Sequence, residues 1–406
     1  MRAIRQGADM TRTTGPLDGI RVLDLSRILA GPTCTQLLGD FGADVVKVEK
    51  PGAGDDTRAW GPPYVEGPDG PTSESAYYLS ANRNKRSVAL DIATPEGAAE
   101  VRRLAARADV LIENFKVGGL ARYGLSWDDL KGDHPSLIYC SITGYGQTGP
   151  NAAKPGYDLM AQGYGGIMSL TGPEGGEPTK VGVAVADVMC GMYAASAILA
   201  ALRHRDRTGE GQHIDIGLVD TQIAWLINQG TNYLTSGRVP QRHGNAHPNI
   251  VPYQVFEVSD GHVIVAAGND AQFRRFAALI GAPGLSDDAR FAANADRVRN
   301  RDALVPLLEG LLKGIARDDL LARMEAAGVP GGPIHDLADV FASDQVAARE
   351  MLVTMAHPLA ATGEVRLIGN PVKFSATPVT YRHAPPTCGQ QTEEVLRDWT
   401  EGNGGA

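Results

Sequence analysis

Short apolar runs alternating with helical periodicities dominate the first half of the chain. Residues 20–25 (Ile-Arg-Val-Leu-Asp-Leu) have the pattern of a strand, the segment after Gly31-Pro32 that of a helix ending near Gly42, and residues 44–49 (Asp-Val-Val-Lys-Val-Glu) that of a second strand. The unit recurs: Ser87–Ile92 predicts a strand, Thr94-Pro95-Glu96 a cap and first turn, Ala98–Ala106 a helix, and Asp109–Glu113 and Leu137–Ile142 two further strands. Strands alternating with helices imply a parallel sheet covered on both faces, an α/β architecture.

After Asp220 the pattern changes. Val251–Glu257 and His262–Ala267, separated by Val258-Ser259-Asp260-Gly261, predict a hairpin, and helical segments follow to about Ala327. The run Gly328-Val329-Pro330-Gly331-Gly332-Pro333 marks a boundary, beyond which helix-like stretches at 337–351 and 392–399 return to the first domain. The expected organisation is therefore 16–220 as the first part of a large domain, 221–330 as a small domain, and 331–400 as the returning part.

In parallel sheets, ligands collect beyond the carboxyl ends of the strands. That gathers the loops 26–32, 50–54, 114–119 and 143–150 around one site. The first strand is followed by Ser26-Arg27-Ile28-Leu29-Ala30-Gly31-Pro32 and not by GxGxxG, and there is no GxxxxGK[ST] loop, which removes the main support for dinucleotide redox and kinase chemistry.

Composition narrows the choice further. A length of 406 residues with 43% hydrophobic content suits two domains with full cores. A net charge of −9, from 47 acidic and 38 basic residues, argues against a nucleic-acid partner. Cys34, Cys140, Cys190 and Cys388 lack CxxC or Cys/His metal spacing, which favours free thiols in a cytoplasmic protein over disulfides or a metal site. No apolar stretch is read as long and charge-free enough to span a bilayer. Met1–Gly15 has arginines but no apolar core and reads as a frayed leader, with Met10 an alternative start; Gly402–Ala406 is a glycine-rich tail.

Asp187 is the most informative residue. It stands alone in Val181-Gly182-Val183-Ala184-Val185-Ala186-Asp187-Val188-Met189-Cys190-Gly191, just ahead of the helix-like run Met192–Leu202, where desolvation and a helix N-terminus both act on its charge. Such an acid is either a helix cap or a reagent, and on this window alone the cap is the simpler reading. The run Asn82-Arg83-Asn84-Lys85-Arg86-Ser87 suits a phosphate-bearing ligand or is a solvated loop. Asn114-Phe115-Lys116 with Arg122 offers a similar set, Phe115 being either a stacking surface or core. No G-x-S-x-G elbow exists, and Cys190 lies in apolar surroundings where thiols are inert. His243 and His247 flank Gly244 and precede Pro248, so the segment reads as a mobile loop over a pocket and not as a metal site; Arg242 and His243 can meet a carboxylate there.

Together these residues resemble the class III CoA-transferase family (the carnitine/formyl-CoA transferase type) from Pro16 to about Leu396. The matching segments are residues 16–24 (PLDGIRVLD), Ala30-Gly31-Pro32, residues 42–49 (GADVVKVE), Asn84-Lys85-Arg86-Ser87, Thr94-Pro95-Glu96-Gly97, Glu113-Asn114-Phe115 and Thr208-Gly209-Glu210-Gly211-Gln212. The resemblance implies a Rossmann-like parallel sheet built from N- and C-terminal parts, a smaller α+β middle domain, and two subunits interlocked as linked rings. It implies Asp187 as nucleophile and a coenzyme A site at Ala30, Lys50, Leu90, Asn114, Phe115, Lys116, Arg122 and Tyr145, with coenzyme A as substrate and no tightly bound cofactor. The stretch Ile250–Phe256 looks most like the succinate-hydroxymethylglutarate CoA-transferase branch, which implies succinyl-CoA or another dicarboxyl-CoA as donor and a dicarboxylate acceptor, with Arg242, His243 or Arg58 holding the far carboxylate. The rival readings are an α-methylacyl-CoA racemase, whose Gly-His-Asp base is replaced here by Gly156-Tyr157-Asp158, and a CoA-binding regulator without catalysis.

Overall fold

The apolar runs of the first half are buried on both faces, as parallel strands require. In the computed structural model, which describes residues 15–401, six strands form one parallel sheet in the spatial order 85–89, 44–49, 21–24, 110–113, 138–143, 212–217. Register pairs Val22 with both Val45 and Val110, and Leu23 with Val46 and Leu111. Because side chains alternate across a strand, this register sorts them into two layers. Val22, Val45, Val110 and Ile138 face the helices Ala30–Asp40 and Val185–Thr208, while Leu23, Val46, Val88 and Leu111 face the helix Pro95–Ala105 and Trp399.

The chain divides into two compact units. Of the described residues, one holds 15–167, 181–228 and 344–401; the other holds 168–180 and 229–343. Two expected boundaries therefore shift: 331–343 belongs with the second unit, and 168–180 joins it from within the first part of the chain. All six sheet strands come from residues 21–217, so among the described residues the C-terminal part supplies no strand to the sheet. It flanks the edge strand, where Thr392 Oγ1 accepts from Ala89 N–H at 3.0 Å and Gln391 Oε1 from Ser87 N–H at 2.9 Å. The helix expected at 337–351 is two short ones, Leu337–Ala342 and Asp344–Ala348. The expected leader, the alternative start and the glycine-rich tail lie outside the described residues.

The second unit contains an antiparallel sheet in the order 331–333, 261–266, 253–258, with Ser259-Asp260 as the hairpin turn, packed on helices through Phe256, Phe273, Phe276, Leu304 and Leu308. The first unit carries two antiparallel pairs that the hydrophobic pattern did not reveal, 64–67 with 70–75 and 352–356 with 364–368.

The basic run at 82–87 is interior framework and not a ligand surface. Lys85 is fully buried, its ammonium donating to Asp24 at 3.2 Å, the Pro32 carbonyl at 3.1 Å and Asn82 Oδ1 at 2.9 Å. Arg83 grips Asp40 through two nitrogens at 3.0 and 2.6 Å, and Arg86 grips Asp44 at 3.1 and 2.7 Å. Buried charges of this kind persist only when paired. The 24-residue helix Val185–Thr208 is long and apolar enough by length and composition to cross a bilayer, contrary to the expectation from sequence; here it packs as a core helix against Ala30–Asp40.

Candidate active site

Strand order reverses between 21–24 and 110–113, which opens a crevice outside their carboxyl ends. The loop after the first strand is pinned there. Arg27 N–H donates to Asn114 Oδ1 at 2.9 Å, Asn114 Nδ2 returns a bond to the Arg27 carbonyl at 2.7 Å, and the Arg27 guanidinium lies 5.7 Å from the Phe115 ring centre. Ile28 N–H reaches the Asp55 carboxylate at 3.2 and 3.3 Å, and Ile28 sits at φ 71°, a strained conformation for a β-branched residue. The helix then starts at Ala30 with no side-chain cap.

That helix lies directly on the one carrying Asp187. A Cβ added at Gly191 would come within 2.6 Å of the Ala30 carbonyl and 2.9 Å of Thr33 Cβ, so the contact requires glycine. Asp187 is one turn before Gly191 on the same face, which sets it beside the amino end of the Ala30 helix. Ala30, Asn114, Phe115 and Asp187 are thus brought to one end of the sheet.

Asp187 is not the helix cap. The helix begins at Val185, its cap position is Ala184, and Asp187 is the third helical residue. The helix dipole favours the anion by only about 0.3–1 kcal/mol. Against it, Asp187 is 9% exposed, and among the described residues its carboxylate receives no hydrogen bond. Burial first, and then the nearby charge of Asp158, push its pKa up from 3.8 to about 7. Burial wins over the dipole.

Sequence reasoning missed two groups acting near Asp187 and a third beneath the Asn114 loop. Asp158, on the helix Asp158–Tyr164, accepts from Ala186 N–H at 2.9 Å through Oδ1 and from Gln162 Nε2 at 2.8 Å through Oδ2. Tyr77 has its phenol pushed up to about 12, by burial and then by the charges of Asp187 and Asp158, and its ring meets Trp60 edge-on at 5.3 Å. Glu113, buried at the end of its strand, accepts from Phe115 N–H at 2.7 Å and so shapes the Asn114 loop; burial pushes its carboxyl up to about 7. The one signal in the sequence was an acid at a strand end or after Gly-Tyr, which by itself names no role.

Lys50 and Lys116 are exposed at the crevice loops, and Leu90 is half-buried against the core. Arg122 is exposed, lies 4.6 Å over the Tyr123 ring, and with Ala93, Thr94, Ala98 and Arg102 lines a cleft of about 390 Å³. Phe115 is half-buried and packs against the core as well as beneath Arg27. Tyr145 meets Tyr164 edge-on at 5.2 Å.

Arg58 is a correction. Its Nε and Nη2 grip Glu49 at 2.8 and 2.7 Å, Nη1 lies 2.7 and 2.6 Å from the two oxygens of Glu74, and Nη2 also donates to the Pro386 carbonyl at 3.0 Å. No donor is left for a substrate carboxylate. Arg242 and His243 belong to the second unit. Arg242 Nη2 donates to the Gly176 carbonyl, while its buried Nε has no partner among the described residues. The loop around them is fastened and not loose: Gly244 N–H bonds the Gly172 carbonyl at 3.2 Å, His247 N–H bonds Tyr253 at 2.8 Å, and Arg301 bonds the His247 carbonyl at 2.6 Å.

The chain belongs to CoA-transferase family III, whose model matches residues 17–392. It is an enzyme of that class. It is 50% identical to the succinate–glutarate CoA-transferase of Agrobacterium fabrum over 96% of this chain and 97% of that protein. It is 43% identical to the human succinyl-CoA:glutarate CoA-transferase, over 94% of this chain and 86% of that one. Among solved structures, a CAIB/BAIF family protein from Brucella suis is similar at a TM-score of 0.83 and 49% identity, covering 95% of this chain and 100% of that chain.

Proposed function

We propose that the protein moves coenzyme A from a dicarboxyl-CoA, succinyl-CoA or glutaryl-CoA, to a free dicarboxylate, with Asp187 as the covalent nucleophile. The observation that carries this is the Asp187 carboxylate: buried, without a hydrogen-bond donor, held near pKa 7 and set at the crevice where the strand order reverses. An acid poised near neutrality is partly ionised at working pH yet poorly solvated, which suits a nucleophile.

The chemistry runs through exchange. A carboxylate oxygen of Asp187 attacks the thioester carbon; the C–S bond breaks and the electron pair leaves on sulfur, giving a mixed anhydride and a CoA thiolate. The thiolate then attacks the Asp187 carbonyl, breaking its C–O bond to release the donor acid and leave an aspartyl thioester. The acceptor carboxylate attacks that carbonyl and the C–S bond breaks, giving a second mixed anhydride and CoA thiolate; the thiolate then attacks the acceptor-derived carbonyl, breaking its C–O bond to release the new acyl-CoA and the free Asp187 carboxylate. Water would hydrolyse either intermediate, so the dry setting of Asp187 matters.

Lys50, Lys116 and Arg122 are the exposed cations for the CoA phosphates, with Ala30, Leu90, Asn114, Phe115 and Tyr145 along its length. For the far carboxylate, Arg242 is the candidate that retains an unpartnered buried nitrogen, with His243 beside it in sequence. The interlocked dimer is supported by large apolar side chains left exposed, Tyr157 (60%), Tyr164 (61%), Val183 (65%) and Ile227 (68%) among them. Unpaired thiols support a reducing, cytoplasmic setting.

The test incubates the purified protein with succinyl-CoA and a panel of free acids and reads new CoA esters by mass spectrometry. Hydroxylamine should inactivate it only while acyl-CoA is present, with the mark on Asp187. Labelling elsewhere, or full turnover by Asp187→Ala, overturns the covalent reading. Arg242→Leu should raise the KM for succinate far more than for a monocarboxylate of similar size.

A further inference from the structure

We propose that Asp158 is a positioning residue for this reaction: it caps, from a neighbouring helix, the first turn that carries Asp187, and sets beside Asp187 a second negative charge whose repulsion acylation relieves. The proposal rests on Asp187 being the nucleophile.

The helix Val185–Thr208 starts without a side-chain cap, because Ala184 has none to give. One of its orphan first-turn N–H groups, that of Ala186, is taken instead by Asp158 Oδ1 at 2.9 Å. The other oxygen, Oδ2, accepts from Gln162 Nε2 at 2.8 Å, and Gln162 Oε1 accepts from Val181 N–H at 2.8 Å. Gln162 is fully buried. Asp158 and Gln162 therefore hold both ends of the segment 181–186, and the last peptide they hold is the one leading into Asp187.

A neutral acceptor would cap equally well. Placing a carboxylate there instead puts it against a second, poorly solvated carboxylate. Among the described residues the groups acting on Asp187 offer no compensation: Tyr77 faces it from the helix Ala76–Leu79, Cys190 is a buried thiol on its own helix, and burial and the Asp158 charge both act in the same direction. In the acylation step the Asp187 oxygen gains a bond to the acyl carbon and the electron pair of the broken C–S bond leaves on sulfur. The negative charge thus departs from beside Asp158. Repulsion that exists before the step and vanishes after it raises the ground state selectively, which speeds attack.

The experiment measures kcat/KM for exchange between succinyl-CoA and glutarate across pH 5–9. For Asp158→Asn, the acid limb should move down by about one pH unit, because a like charge near an acid raises its pKa by that order. At pH 8 its turnover should fall, by up to about tenfold for one unit of lost basicity. Asp158→Glu should restore the limb, and Gln162→Ala should lower kcat while leaving the limb in place, a split that simple loosening of the segment does not produce. If Asp158→Asn loses its melting transition, Asp158→Ser, which also removes the charge, must show the same downward limb. An unmoved or rising limb in the folded variant overturns the proposal. Asp187→Ala in the same assay separates the two readings: loss of exchange with an unmoved Asp158→Asn limb overturns only the role of Asp158, whereas retained exchange overturns both.

Discussion

Replacing Asp187 by Asn should stabilise the protein, increasingly so as pH rises from about 4 to 7. The native state raises the Asp187 pKa from 3.8 to about 7, through burial and then through Asp158. A raised carboxyl binds its proton more tightly when folded, so the stability linked to it is fully present below about pH 4 and is lost as pH rises through 7. At about 1.4 kcal/mol per pKa unit, a shift of about three units sets a ceiling of roughly 4 kcal/mol on what the wild type forfeits by pH 8. Asn has nearly the same shape and no charge to desolvate, so it forfeits none of this. With an unfolding entropy of about 2 cal/mol/K per residue over 406 residues, that ceiling is a Tm difference of roughly 5 °C. Differential scanning calorimetry of both proteins from pH 4.5 to 8.5 tests it, and comparing the two cancels every titration they share. The variant should match the wild type at the acid end and melt higher at the alkaline end while lacking turnover. Equal Tm values throughout, or a difference largest at acid pH, would refute the argument that Asp187 is held uncompensated.

Three further outcomes follow from the packing and the cleft. Gly191→Ala forces a methyl group against the Ala30 carbonyl, at 2.6 Å before relaxation, and should cost about 1–3 kcal/mol in urea denaturation; acyl exchange should fall with it because the same contact sets Asp187 beside the Ala30 helix. Arg58→Met strands the buried acids Glu49 and Glu74 and should destabilise by about 3–5 kcal/mol; an unchanged Tm with a raised KM for dicarboxylates alone would instead return Arg58 to a substrate role. Arg122→Ala should raise the KM for acyl-CoA severalfold, more steeply than for dephospho-CoA esters, and leave the KM for the acceptor acid unchanged.

The sheet was legible where strands are apolar and short helices carry their own signals. Thr94 caps the helix Pro95–Ala105 as its sequence indicates, its Oγ1 accepting from Gly97 N–H at 3.0 Å. Hydrophobic pattern misled at the edge strand 85–89, which was placed two residues late, because Lys85 and Arg86 look like loop residues. Their burial depends on Asp24 and Asp44, and such pairings across distant segments leave no periodic trace. The same blindness produced the ligand readings for Arg58 and the basic run. Residues 168–180 were assigned to the wrong unit since membership is set by long-range contacts. Asp187 and the Asn114 loop enter as expectations from the family resemblance; Asp158 does not, because a residue that caps another helix 28 positions away is invisible to local pattern.

Two aspartates of this chain contrast framework with the proposed reagent. Asp24 is wholly buried, more so than Asp187, yet its pKa falls below the ordinary value: burial pushes it up, but Lys85 and Lys47 pull it down further, helped by the hydroxyls of Ser26 and Thr35. Its charge is fully compensated, and a compensated carboxylate is a poor nucleophile because every partner must be given up during attack. Asp187 has the burial without the partners, and a like charge besides. Burial alone therefore does not distinguish the proposed nucleophile. The mark is burial left uncompensated, and supplying Asp187 with a cation should convert it to framework. Ala30→Lys, at the adjoining helix end, is expected to lower the acid limb of turnover while reducing kcat, whereas an unchanged limb would mean that the Ala30 position does not face the Asp187 carboxylate.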